Sequence, residues 1–340
     1  MTELHAFGPV TTAFGKTKGL LLEPLDIWLW VKLVIITFFV GSGAGVSNPG
    51  STLRYSLNRE EFSDLQSFNI QDILSDPMIV AIILLLVLVV IAVSLLFSYL
   101  RGVFSFVLVD ALTTGNVQII RPFQDNMRRG FKAFLFNLAA SIVSLAVVGS
   151  VIALIVLVLL WAIGTGDFES MSTAGLFALI LVVTLGIALV FSFSLLMSLI
   201  IGFFYDFGVP IMYFKGFGLR QALRNVIGLV RKDPLEFLVY VVLRWVFELA
   251  VSLVLGVILL FLFAIFIALG ILTIIAAVEA AKISILLAIP FALALLIGLL
   301  LMILITAVVS LPVNVYFRYY SLDFLKSMDP SAVTYTGRFG

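Results

Sequence analysis

The sequence predicts an all-α fold: a polytopic membrane helical bundle forming one domain over residues 1–340. Three observations carry this reading. Between Phe237 and Phe317 the only charged side chains are Arg244, Glu248, Glu279 and Lys282. An apolar run of about eighty residues is too long for one span, since a helix needs roughly 20 residues to cross the hydrocarbon. The chain is 63% hydrophobic and 11% charged, whereas soluble domains carry about 25% charged residues, and its mean hydropathy is +1.25. The basic residues, finally, gather on one side of the predicted spans.

The apolar blocks are 25–44, 77–100, 133–163, 173–205, 237–271 and 284–316, and six transmembrane helices is the simplest count. A seventh hidden within 237–316 is disfavoured, because that stretch matches 25–100 and 131–206 in length and each of those holds two spans. Blocks of about 30 residues exceed the hydrocarbon thickness and predict tilt or projection into water. The polar start, MTELHAFGPVTTAFGKTKG, lacks the charged n-region and short apolar core of a cleavable signal peptide, so the first span is read as retained.

Charge orients the bundle. The N-terminal elbow 8–23, the elbows 101–132 and 206–236 and the C-terminal tail 317–340 fall on one side, and segments on that side carry 15 of the 20 Lys and Arg. The opposite loops, including the long outer loop 45–76, hold only Arg54, Arg59 and Lys282 among basic residues. Basic flanks stay cytoplasmic. The expectation is a multi-pass protein of the cell membrane with both termini inside.

Several chemistries are excluded. Cysteine is absent and histidine occurs once, as His5, which removes disulfides, thiolate metal sites and thiol nucleophiles. No Ser–His pairing and no metal-binding cluster is visible, so no cofactor, no metal and no catalytic residue is expected, and no nucleic-acid partner either. Gly164-Thr165-Gly166-Asp167 and Tyr205-Asp206 look like intramembrane aspartyl protease signatures. They lie at opposite ends of a span and in reversed order, so the two carboxyls cannot share a proton. Gly41-Ser42-Gly43-Ala44-Gly45 follows a span instead of a strand, which removes the phosphate-loop reading.

An internal repeat is expected. Shifted by 103 residues, 115–135 falls on 218–238: Gly115 on Gly218, Gln118 on Gln221, Arg121 on Arg224, Arg128-Arg129 on Arg231-Lys232 and Phe134-Leu135 on Phe237-Leu238. Pro210 and Pro312 open echoed aromatic-basic segments. The unit is a span entering the cytoplasm, a basic elbow and a span leaving it. Two units run over 77–163 and 173–271, and a third is split between 284–326 and the N-terminus, a permuted triplication. In the elbow 219–230, Leu219, Leu223, Val226, Ile227 and Val230 form one face, with Gly218 opening the helix and Asp233-Pro234 closing it. Such basic amphipathic helices lie in the membrane interface. Arg121, Arg128, Arg129, Arg220, Arg224, Arg231 and Lys232 are candidate contacts for anionic lipid headgroups.

Ionisable side chains within spans are candidate functional positions because of their cost. Arg244 and Glu248 stand one turn apart and can pair on their own helix; with Lys32 of the first span they form the candidate intramembrane polar site. Asn137, Ser141, Ser144, Ser192 and Ser194 are read as interhelical hydrogen-bonding positions.

The segments PLDIWLWVKLVIITFFVGSGAG and PIMYFKGFGLRQALRNVIGLVRKDPLEFL resemble uncharacterised archaeal multi-pass membrane proteins, which are distantly similar to the membrane domain attached to some glycerophosphodiester phosphodiesterases. The resemblance brings no catalytic residues, and the soluble phosphodiesterase domain is missing. The expected function is a non-enzymatic accessory, scaffold or assembly subunit that binds lipids and other membrane proteins or itself. The alternative is a small-solute or lipid transporter using Arg244 and Glu248. A wide polar cavity reaching Arg244 favours the alternative.

Overall fold

The computed structural model describes residues 6–23, 25–41, 77–164 and 173–336, and among them the ordered structure is helical throughout. The elements are α1 (Gly8–Leu21), α2 (Ile27–Val40), α3 (Pro77–Thr114), α4 (Ile120–Gly164), α5 (Thr173–Phe203), a π-helical turn (Phe204–Gly208), α6 (Val209–Phe214), α7 (Leu219–Lys232), α8 (Pro234–Ile283) and α9 (Ile285–Met328). Five helical stretches are long and apolar enough to cross a membrane, from α3, α4, α5 with α6, α8 and α9. The chain is a multi-pass membrane protein.

The described part of the predicted first span, 25–44, is the short apolar helix α2. Its 14 residues rise about 21 Å, less than the roughly 30 Å hydrocarbon core. Asp26 caps it, its carboxylate accepting from the Trp28 amide at 2.9 Å, and Gly41 ends it in the left-handed region at φ 57°, a conformation only glycine takes without strain. The predicted outer loop 45–76 lies outside the described residues.

A second difference concerns 272–283, predicted as a loop. Here α8 runs unbroken to Ile283 and turns at Ser284. The stretch is rich in alanine and free of glycine and proline, and its two charges pair along the helix, Lys282 with Glu279 at 2.5 Å, so nothing in it breaks helical hydrogen bonding. The predicted tail from 317 likewise begins as helix, since α9 extends to Met328.

The core sits at one end of the bundle. The last turns of α3, the π-turn with α6, and residues 311–325 of α9 are buried together, with Phe106, Phe207, Tyr240, Tyr319 and Tyr320 inaccessible to solvent. Three short amphipathic segments wrap this layer. α1 lies on α9: Lys16 Nζ reaches Asp323 at 2.5 Å and Thr12 Oγ1 donates to the same carboxylate at 3.2 Å. The start of α4 lies on α3, where Gly102 and Gly130 let the two backbones meet; a Cβ on Gly102 would stand 2.6 Å from the Gly130 carbonyl oxygen. α7 lies beside the π-turn with Ala222 and Val226 buried, its amide at Gly218 donating to Gln221 at 3.3 Å. The elbow predicted over 219–230 is this helix, although Ile227 of its predicted apolar face is half exposed.

After α9 the chain turns, the Ala332 amide donating to the Asp329 carbonyl at 2.9 Å, and runs back to the end of α3. The Thr336 amide donates to the Thr113 carbonyl at 3.0 Å, and Lys215 pairs with Asp329 at 2.6 Å. Burial alone would raise the Asp329 carboxyl, but hydrogen bonds from Lys215 and Ser331 and the lysine charge hold it below its ordinary value.

Beyond the layer the spans still touch, a Cβ on Gly186 of α5 standing 2.7 Å from Ile155 of α4, but most of their surface is exposed. Leu84 and Leu88 of α3 are 64% and 65% exposed, and the most apolar windows of α3, α4, α5 and α9 bury nothing. In a bilayer these faces meet acyl chains, which solvate leucine as well as another helix does.

The 103-residue register does not carry through the turns. Gly115 ends α3 with φ 69°, and the glycine doing the same after α6 is Gly216, with φ 66°; Gly218, its partner in the alignment, instead precedes α7 with φ −71°. Glycine is needed where φ is positive, so the equivalent turns stand 101 residues apart.

Candidate functional site

Where the spans part from the buried layer they leave a cavity of about 770 Å³. Four of the surrounding elements supply charges. α3 contributes Arg101, the π-turn Asp206, α8 Arg244 and Glu248, and α9 Arg318. Ser105, Ser144, Ser194 and Ser198 add hydroxyls to its wall. With both carboxylates and all three guanidiniums charged, the site carries one net positive charge.

Local sequence explains these placements. Pro210 has no amide to donate to the Asp206 carbonyl, and its ring crowds that oxygen. The turn ahead of it widens into the π-helix of Phe204–Gly208, a local departure often found at functional positions. On α8, Tyr240, Arg244 and Glu248 recur every four residues and so form one stripe facing inward. Tyr240 is fixed by stacking on Phe324 and Tyr320, with ring centroids 4.5 and 5.1 Å away.

Asp206 is the hub. Arg244 Nη1 forms a close ion pair with Asp206 Oδ2 and donates to Tyr240 Oη at 2.9 Å. Tyr240 Oη in turn donates to Asp206 at 3.3 Å. Arg244 Nε donates to Glu248 at 2.8 Å. Arg318 Nη1 lies 3.8 Å from Asp206 and donates to the Tyr205 carbonyl at 2.6 Å, which clamps α9 to the π-turn. Arg101 sits over the Tyr205 ring, 4.7 Å from its centroid. Asn137 bridges α4 to α3, donating to Ser98 at 3.0 Å.

The predicted pair Arg244 and Glu248 is therefore formed, inside a larger network. Lys32 takes no part: it is exposed on α2, while Leu33 and Val34 turn inward. The basic elbow residues stay on the surface, exposed at Arg121, Arg128, Arg220, Arg224, Arg231 and Lys232; Arg129 is half-buried and donates to Asn126 at 3.2 Å. Arg101, Asp206 and Arg318 were missed as site residues. Their signal was present, a charge one or two residues beyond an apolar block, and it reads equally well as an ordinary interfacial flank.

No curated protein and no solved structure matches the chain, and nothing found supports the archaeal or phosphodiesterase-domain resemblance. Residues 4–334 match a family of unknown function, DUF7544, and the chain belongs to that family.

Proposed function

We propose that this is a non-enzymatic membrane protein that binds a polar ligand, a small solute or a lipid headgroup, in the cavity at Arg244, as a transporter does. The observation that carries the reading is the cavity itself, roomy, lined by five charged groups and set among membrane-spanning helices. Few apolar bundles accept that cost without use for it. The reading prefers the transporter alternative over a pure scaffold. The accessory-subunit reading keeps one supporting observation, the wide exposed apolar faces of the spans, which suit lateral association with other membrane proteins or self-association.

In this reading the buried layer is cytoplasmic, as the basic asymmetry predicts, and the chain sits in the cell membrane. The elbow arginines rest on anionic headgroups. The three wrapped helix ends form a permuted triplicate collar, with α1 against the end of α9 as its closing arm; that contact supports the repeat even though the turn register is shifted.

Access to the cavity is testable because the chain has no native cysteine. A Ser198→Cys variant in membrane vesicles is expected to react with a charged, water-soluble methanethiosulfonate at a rate near that of the surface control Arg231→Cys. Inertness at Ser198→Cys, with the control labelled, would remove the polar-ligand reading.

A further inference from the structure

Resting on that reading, the geometry points to a phosphate group as the recognised part of the ligand: we propose that Arg318 and Arg101 form a subsite for a phosphate monoester or diester.

The first observation is division of labour among the arginines. Arg244 is spent on Asp206, Glu248 and Tyr240. Arg318 is not. Its side chain is only 7% exposed, and its Nε and Nη2 have no hydrogen-bond partner among the described residues. Arg101 Nε and Tyr205 Oη, joined by the cation–π contact, are buried and unpartnered as well. Three guanidinium donors and a phenol thus converge on the π-turn end of one cavity without acceptors. Buried donors without acceptors are costly, and the planar fork of an arginine fits the oxygens of phosphate in a bidentate manner.

The second observation is charge. Asp206 and Glu248 leave one of three guanidiniums uncompensated, and an unpaired charge in low dielectric is costly. A monoanionic phosphodiester restores neutrality, and the surrounding serines offer donors to whatever the phosphate carries.

The third is depth. From Pro77 to Arg101 α3 rises about 36 Å, slightly more than the roughly 30 Å hydrocarbon core. The subsite therefore lies at the headgroup level of the leaflet on the buried-layer side. Both a lipid phosphate and a soluble phosphate reach that level.

The test uses the full-length protein, delipidated in maltoside detergent, with dioctanoyl phosphatidic acid and inorganic phosphate as separate probes and thermal unfolding as the readout. A saturable rise in Tm is expected with at least one probe. Response to the lipid alone assigns a headgroup, and response to inorganic phosphate assigns a soluble phosphate. Arg101→Gln, which removes a side chain with no carboxylate partner among the described residues and so leaves the Asp206 network in place, is expected to weaken the response about tenfold or more; Arg318→Gln should do the same if it folds. Lys282→Gln, exposed at the far end of α8, should leave it unchanged. No response to either probe overturns the proposal, as does a response that Arg101→Gln leaves intact. If Ser198→Cys is reactive in that case, the polar-ligand reading stands and only the phosphate assignment falls.

Discussion

Replacing Asp206 by leucine is expected to destabilise the purified protein by about 3–5 kcal/mol, the cost of leaving a buried charge without its partner. Asp206 is the one carboxylate that serves Arg244, Tyr240 and Arg318 together. Without it Arg318, already short of acceptors, loses the carboxylate 3.8 Å away, and the π-turn loses the contact that orients it. Glu248→Gln is the informative contrast. Glu248 is more exposed than Asp206, at 26% against 11%, and its removal leaves Arg244 paired, so the loss should be clearly smaller. Thermal and denaturant unfolding in detergent would rank the two. Equal stabilities for Asp206→Leu and the unmodified protein would mean that the network is hydrated and weak.

Gly130→Leu should separate α3 from α4. A Cβ on Gly130 would stand 2.7 Å from the Val103 Cα and 2.9 Å from its amide nitrogen. Backbone atoms cannot rotate away as a side chain can, so the helices must move apart. Overpacking of this kind costs about 1–3 kcal/mol, and the same crossing anchors Arg101 one residue before Gly102. Gly149→Ala on the same helix is the control: its Cβ would meet nothing within 4 Å, and alanine should be neutral or slightly stabilising by propensity. A Gly130→Leu protein as stable as the Gly149→Ala one would show that the close crossing is absent in solution.

Much of this fold was legible in the sequence for simple physical reasons. Long apolar runs have one solvent in which they are stable, and Gly218 and Asp233-Pro234 bracketed α7 as local backbone rules require. Arg244 and Glu248 stood out because they interrupt an otherwise apolar stretch. The rest of the site was not legible, because nothing local distinguishes a charge that anchors a helix end from one that turns inward. Arg101, Asp206 and Arg318 become a site only when three helix ends converge, and that convergence depends on a π-turn whose sequence signal is a single proline. Lys32 failed for the converse reason. A charge on an apolar helix stands out in the sequence whichever way it points, and the inward face of α2 is set by Leu33, Ile36 and Val40. The extension of α8 through 272–283 was hidden by the habit of reading two charges as a loop, although at i and i+3 they satisfy each other on a helix.

The central claim is that the charged cavity holds a ligand, and native mass spectrometry of the protein extracted from its own membranes tests it most directly. Ser198→Trp places a large side chain in the cavity wall without touching the Asp206 network. The account predicts a polar adduct retained on the unmodified protein under mild activation and lost from Ser198→Trp at equal yield, with equal Tm once both are delipidated. The same adducts on both proteins, or none on either, would contradict it.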